Sequence, residues 1–151
     1  MKKSTIAAAA AAIAFSGGAG AHEFVCEKTV EGEVIHVVDR YPATLHFKVV
    51  VTNTHPSDAS VALALRDDLL ASLGMDVRQQ APFTLEVGES VEFDAQVTVN
   101  SEAACRRLSH AQACAGSFED AFQVIFDGGV AQCAVRLICL RDDAAERQSG
   151  L

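Results

Sequence analysis

Five cysteines and five histidines carry most of the chemistry this sequence can offer. The cysteines are Cys26, Cys105, Cys114, Cys133 and Cys139. An odd number leaves one thiol over, unpaired or shared with a second copy in a disulfide-linked dimer. Cys105 and Cys114 stand at the two ends of one polar loop. Closing about ten residues contributes roughly 2.5–3 kcal/mol in the chain-entropy model, so this pair is expected first. Cys133 and Cys139 lie six apart on one expected strand. They share a face but sit about 20 Å apart, too far to bond each other. One of them is expected to bond Cys26: Cys133 if the first and last strands run parallel, Cys139 if antiparallel. The other is then a buried thiol behaving as a small apolar residue. No C-x-x-C pair occurs, which disfavours a zinc site.

The histidine of interest is His22, because of what precedes it. Met1–Ala21 reads as a secretory signal peptide. Lys2 and Lys3 form the positive start, Ile6 to Phe15 is apolar and too short to anchor in a bilayer, and Ala19-Gly20-Ala21 fits a small-x-small cleavage site. Cleavage after Ala21 would make His22 the first residue. Its free amine and imidazole nitrogen suit Cu(II) in a tetragonal field. His36, His46, His55 and His110 are the available second ligands, and no spacing singles one out. Copper binding is therefore the alternative reading, and no cofactor is the main one.

Other catalytic signatures are missing. The sequence has no G-x-S-x-G nucleophile motif and no glycine-rich phosphate loop. Asp67/Asp68 and Asp142/Asp143 are adjacent pairs, and neighbours on a strand or turn face apart, so each reads as a solvated cap or tail rather than an acid–base dyad. Trp is absent and Tyr41 is the only Tyr, which argues against a sugar-binding surface. No enzyme activity is expected. Arg106, Arg107 and His110 lie in the Cys105–Cys114 loop, the expected contact surface for a partner, since loops on a rigid scaffold carry recognition.

The composition agrees with export. The chain has 151 residues, 50% of them hydrophobic, with 12 basic and 20 acidic side chains and a formal charge of −8. Removing residues 1–21, which hold two lysines and no acid, leaves 130 residues of charge −10. A chain this apolar can bury a core, which argues against disorder. Its acid excess disfavours nucleic acid, and after cleavage no apolar run could span a membrane. The expected location is the periplasm or the extracellular space, where disulfides persist.

The elements that must position these residues are strands. Leu45, Phe47, Val49 and Val51 alternate with Thr44, His46, Lys48 and Thr52. Val61, Leu63 and Leu65 are expected to share the inner face of the next strand. Asp67–Gly74 breaks the alternation as a short helical turn capped by Asp67. Met75–Gln80 is expected as a short strand, and Pro82–Val87 as an extended segment. Val91, Phe93, Ala95, Val97 and Val99 give the clearest half-buried strand. Ser101–Ser117 is expected to be a loop with a turn of helix around Arg106–Ala111. Phe122, Val124 and Phe126 form the penultimate strand, Asp127-Gly128-Gly129 a hairpin turn, and Val130–Leu140 the last strand. Phe24–Val38 supplies one or two more, broken at Glu31-Gly32-Glu33. Seven or eight such strands predict an all-β, immunoglobulin-like antiparallel sandwich over residues 22–141, followed by a polar tail over 142–151.

Within this frame the chain resembles a known family. Lys28-Thr29-Val30, Thr44–Thr54 and Pro56-Ser57-Asp58-Ala59 are similar to the "KTV" and "YTVTVTNTGPSDA" segments of the DUF11 repeat domain of bacterial surface proteins. Val61 to Leu69, with Asp67 or Asp68 at the acidic position, resembles its "V-x-V-x-D-x-L" strand. Leu85, Gly88, Glu89, Ser90 and Phe93 resemble a later strand–turn–strand. The likeness spans Glu27–Asn100, with His55 in place of the usual turn Gly and no counterpart for Ser101–Gly116 or the last strand. It implies an immunoglobulin-like envelope or exported module with structural or adhesive use. It carries over no catalytic residue. The expected partner is another envelope or extracellular protein.

Overall fold

In a computed structural model, which describes residues 23–109 and 116–141, the alternating segments pair into two facing layers. In chain order the strands are β1 (Phe24–Val30), β2 (Ile35–Val38), β3 (Ala43–Asn53), β4 (Ser60–Ala62), β5 (Ala64–Arg66), β6 (Phe83–Leu85), β7 (Ser90–Val99), β8 (Ser117–Phe126) and β9 (Gly129–Cys139). Helix α1 (Asp68–Ser72) and a 3-10 turn (Val77–Gln80) lie between β5 and β6, and helix α2 (Glu102–Arg106) lies between β7 and β8. One layer has the order β1-β3-β7, the other β2-β9-β8-β5, and β4 and β6 make a separate pair. The result is the expected all-β, immunoglobulin-like sandwich.

The layers meet through the side chains that period two sends inward. Leu45, Phe47, Val49 and Val51 of β3 are buried, as are Phe122 and Val124 of β8 and Val135 and Leu137 of β9. Phe93 of β7 stacks on Phe122 of β8 with ring centroids 5.6 Å apart, and Phe24 of β1 meets Phe126 of β8 edge-on at 5.5 Å. The β8–β9 hairpin turns on Asp127-Gly128, with Phe126 opposite Gly129.

One pairing is parallel: Ile35–Val38 of β2 lies beside Arg136–Cys139 of β9. The turn after β1, where Glu31 and Gly32 both have positive φ, passes the chain from one layer to the other, so β2 joins the opposite sheet instead of folding back as a hairpin.

Three local expectations are corrected. Ala62, not Val61 or Leu63, is buried in the segment after the turn, because the strand breaks at Leu63 into β4, paired with β6, and β5, paired with β8. Met75–Gln80 is not a strand. Asp76 accepts hydrogen bonds from the Arg78 backbone N–H and Nε, and this local bonding competes with sheet pairing. The helix expected around Arg106–Ala111 starts earlier, at Glu102, because Ser101 caps it by accepting from the Ala104 N–H at 3.1 Å.

The disulfide pairing is corrected as well. Cys105 bonds Cys139, not Cys114, with Cα atoms 5.9 Å apart. Cys105 faces inward from α2 with no exposure, and Cys139 ends the buried face of β9. Inward orientation therefore overrides closeness in sequence. Cys26 bonds Cys133, the partner expected for parallel strands, and joins β1 to β9 across the two layers. Cys139 is thus no free thiol, and Cys114, outside the described residues, is the cysteine left over.

Gly116 stands where the chain enters β8, with φ near +69°. A Cβ there would lie 3.0 Å from the Arg106 guanidinium and 3.3 Å from the Cys139 carbonyl oxygen. Gly116→Ala is expected to cost about 1–2 kcal/mol from the left-handed backbone alone, read from urea unfolding.

Candidate functional site

Lys28 is the unusual residue of this core. On β1 it has the same parity as Phe24, Cys26 and Val30, so the pleat sends it between the layers. Its side chain has no exposure. A buried ammonium costs several kcal/mol unless it is paired. Lys28 Nζ meets two carboxylates, donating to Oδ2 of Asp67 and to Oδ2 of Asp120.

Each aspartate is placed by its own element. Asp67 ends the β5 segment and caps α1, and its Oδ1 accepts from the Leu70 N–H at 2.8 Å. One oxygen thus satisfies an orphan helix amide and the other faces Lys28. Asp120 lies on β8 in phase with Phe122 and Val124, so it too points inward. Lys28 belongs to one layer, and the aspartates belong to the other.

An open cleft of about 930 Å³ adjoins the cluster, with Asp67 and Asp120 in its wall and Arg66, Asp68, Arg78 and Glu119 around them. Asp67 is fully buried, and the Asp120 side chain retains 10% exposure. Asp120 is therefore the member next to water.

The electrostatics separate the two acids. Burial pushes the Asp120 carboxyl up to about 6 from its ordinary 3.8; Lys28 pulls it down, and the charges of Asp67 and Asp68 push it further up. Its folded value lies above its unfolded one. The stability contributed by the protonated form is fully present below about pH 4 and is lost as pH rises through about 6. As long as Asp120 keeps a free carboxyl, its contribution falls by about 2–3 kcal/mol across that window. Urea midpoints between pH 4 and 7 measure it.

The cluster thus holds an amine against a carboxyl group that tends to be neutral, with a second carboxylate in reach of the same nitrogen. That is a nucleophile, an electrophile and a proton acceptor in one water-poor site.

The other expected site residues are spread over the molecule. Asp67 is a cap, as expected, but a buried one and not a solvated one; Asp68 is exposed. His36 Nδ1 pairs with Glu33 Oε2 at 2.7 Å, and His46 Nδ1 with Glu31 Oε1 at 2.6 Å. His55 Nδ1 accepts from the backbone N–H groups of Ser57 and Asp58, at 3.3 and 3.0 Å. His36 is on β2, His46 on the outer face of β3, and His55 in the turn after it, and each is occupied locally. Among the described residues, no three His, Cys, Asp or Glu side chains are grouped as metal ligands. His22, His110, Asp142 and Asp143 lie outside the described residues. Arg106 is bound to Glu102 at 2.5 Å within α2, and Arg107 is exposed at its end.

The segment that carries the family resemblance has its own anchor, Asn53. Fully buried, it donates from Nδ2 to the Asp58 and Leu85 carbonyls, both at 3.0 Å, and accepts from the His55 N–H at 2.8 Å. The turn is thereby fixed to β6.

Lys28 and Asp120 escaped sequence reasoning although the signal was present. Both fall on the apolar parity of their strands. A scan of protein-family models and a search of curated proteins return no match to this chain.

Proposed function

We propose that the chain is an exported, non-catalytic structural or binding module of the bacterial envelope or extracellular space. The observation that carries this reading is the use of four cysteines in two disulfides, each joining segments distant in sequence. Such bonds form and persist in oxidising compartments. The charge, the apparent leader over Met1–Ala21 and the resemblance to an envelope module support the same conclusion. No helix among the described residues is long and apolar enough to cross a membrane. The partner is another envelope or extracellular protein, met at the α2 end, where Arg107 is exposed.

Fractionation of the producing cell, with N-terminal sequencing of the product, tests this. The expected result is protein in the periplasm or medium beginning at His22. A cytoplasmic product still beginning at Met1, with its thiols reduced, would overturn it.

A further inference from the structure

We propose that the Lys28 and Asp120 side chains condense into an intramolecular amide, with Asp67 as the group that moves the proton. The two partners are already in contact between the layers, with the Lys28 side chain unexposed and that of Asp120 10% exposed, and no other residue has to move to bring them together. This inference goes beyond the assignment of a structural module and does not depend on where the protein resides.

The reaction balances with no co-reactant. Asp67 Oδ2 takes a proton from the Lys28 ammonium, to which it is hydrogen bonded. The freed amine nitrogen attacks Cγ of Asp120 in its protonated form. A C–N bond forms, the C–OH bond breaks, and the hydroxyl leaves as water with the proton that Asp67 held. The nitrogen gives up its second proton to Asp67, which then passes it out through the cleft. Nothing is oxidised or reduced.

In water, an amine and a carboxylic acid rest as an unreactive ion pair. Three features of this site change that. Burial favours the neutral acid of Asp120, the form of that group that reacts. Fixing the two groups on facing strands of the two layers, β1 and β8, replaces a bimolecular encounter with a positioned one. The cleft beside Asp120 gives the departing water an exit, while the Lys28 side chain has no exposure.

The roles of the two acids follow from their settings. Asp67 accepts the Leu70 N–H on Oδ1 at the start of α1, which leaves Oδ2 facing the Lys28 ammonium. A carboxylate is a poor electrophile and a good proton acceptor. Asp120 lies mid-strand, away from any helix end, and burial favours its neutral acid. The product would join β1 to β8 across the sandwich, two residues along β1 from Cys26, and would survive reductants that open the disulfides.

The full chain, purified, denatured and fully reduced, is read by intact-mass and tryptic-peptide mass spectrometry. The expected mass is lower by one water than that calculated for the chain from its observed first residue. Lys28 resists trypsin, and the peptide ending at Arg40 stays joined to peptide 108–136. Reduction is essential, because Cys26–Cys133 links the same two peptides. Asp67→Asn is expected to return the full sequence mass with the fold intact by circular dichroism. The crosslinked chain also lacks the Asp120 stability change between pH 4 and 7. Wild-type protein at its full sequence mass, with Lys28 cleaved normally, overturns the proposal. So does an Asp67→Asn chain that still loses the water.

Discussion

Lys28→Ala is expected to be the most damaging single substitution in the described part of the chain, lowering stability at pH 7 by about 3–5 kcal/mol or more. The magnitude follows from what is left behind. Asp67 and Asp120 would remain between the layers with no cation, and removing one partner of a buried pair leaves the other charges uncompensated. The alanine also leaves space where the lysine stem was packed. A domain of this kind has only about 5–15 kcal/mol in total, so the loss takes a large share. The surface pair Lys48–Glu92 gives the contrast. Its side chains are 45% and 53% exposed. Lys48→Ala should change stability by less than about 1 kcal/mol. The penalty at Lys28 also depends on pH. Without the lysine, which pulls the Asp120 carboxyl down, that carboxyl is pushed higher than in wild type; once it is protonated the repulsion between the two acids ends, so the variant recovers part of its stability as pH falls. Urea unfolding at pH 7 and pH 5 reads both effects. A loss at pH 7 no larger than that of Lys48→Ala would mean that Lys28 is not held between the two acids.

The layers of this sandwich are legible in the sequence because the pleat is regular where both neighbours are long strands. Over β7 the alternation of apolar and polar side chains matches the observed burial, and over β3 and β9 the inward positions are the more buried ones, although Val50, Ala134 and Ile138 put apolar side chains on the outer face. It fails where a strand is short. Between Ser60 and Arg66 the chain makes three-residue pairs with two different partners, and no period survives the change. The cluster was half legible. Asp67 follows from helix-capping chemistry, which is local. Lys28 sits in phase with Phe24 and Val30, yet a lysine on an apolar face has no local explanation; its partners are 39 and 92 residues away. Asp120 is hidden by the position of its strand's start. β8 begins at Ser117, five residues before Phe122, and only then does Asp120 fall on the inner face. The sulfur pairing misled for a related reason. Sequence separation sets the entropy of closing a loop, but the direction in which Cys105 faces sets whether the loop can be closed at all.

Cys26→Ser combined with Cys133→Ser is the second large expected effect, and its size depends on the lysine. The bond closes a loop with a sequence separation of 107. In the chain-entropy model a loop of that length contributes about 4.7 kcal/mol, because the denatured chain loses many conformations when its ends are tied. The Cys105–Cys139 bond offers a path only slightly shorter and leaves that figure nearly unchanged. An amide from Lys28 to Asp120 already ties β1 to β8, and the disulfide then closes only a further loop of about 15 residues, worth about 3 kcal/mol. The same double substitution is thus expected to cost less in wild-type protein than in an Asp67→Asn background, where the amide does not form. The difference of about 1.7 kcal/mol is the coupling between the two links. It arises in the unfolded chain and not from contact between them in the fold. Guanidinium unfolding of the four chains, with the Cys105–Cys139 bond kept oxidised throughout, measures the cycle. Equal losses in both backgrounds would show that the lysine and the aspartate are not covalently joined, whatever the strength of their ion pair.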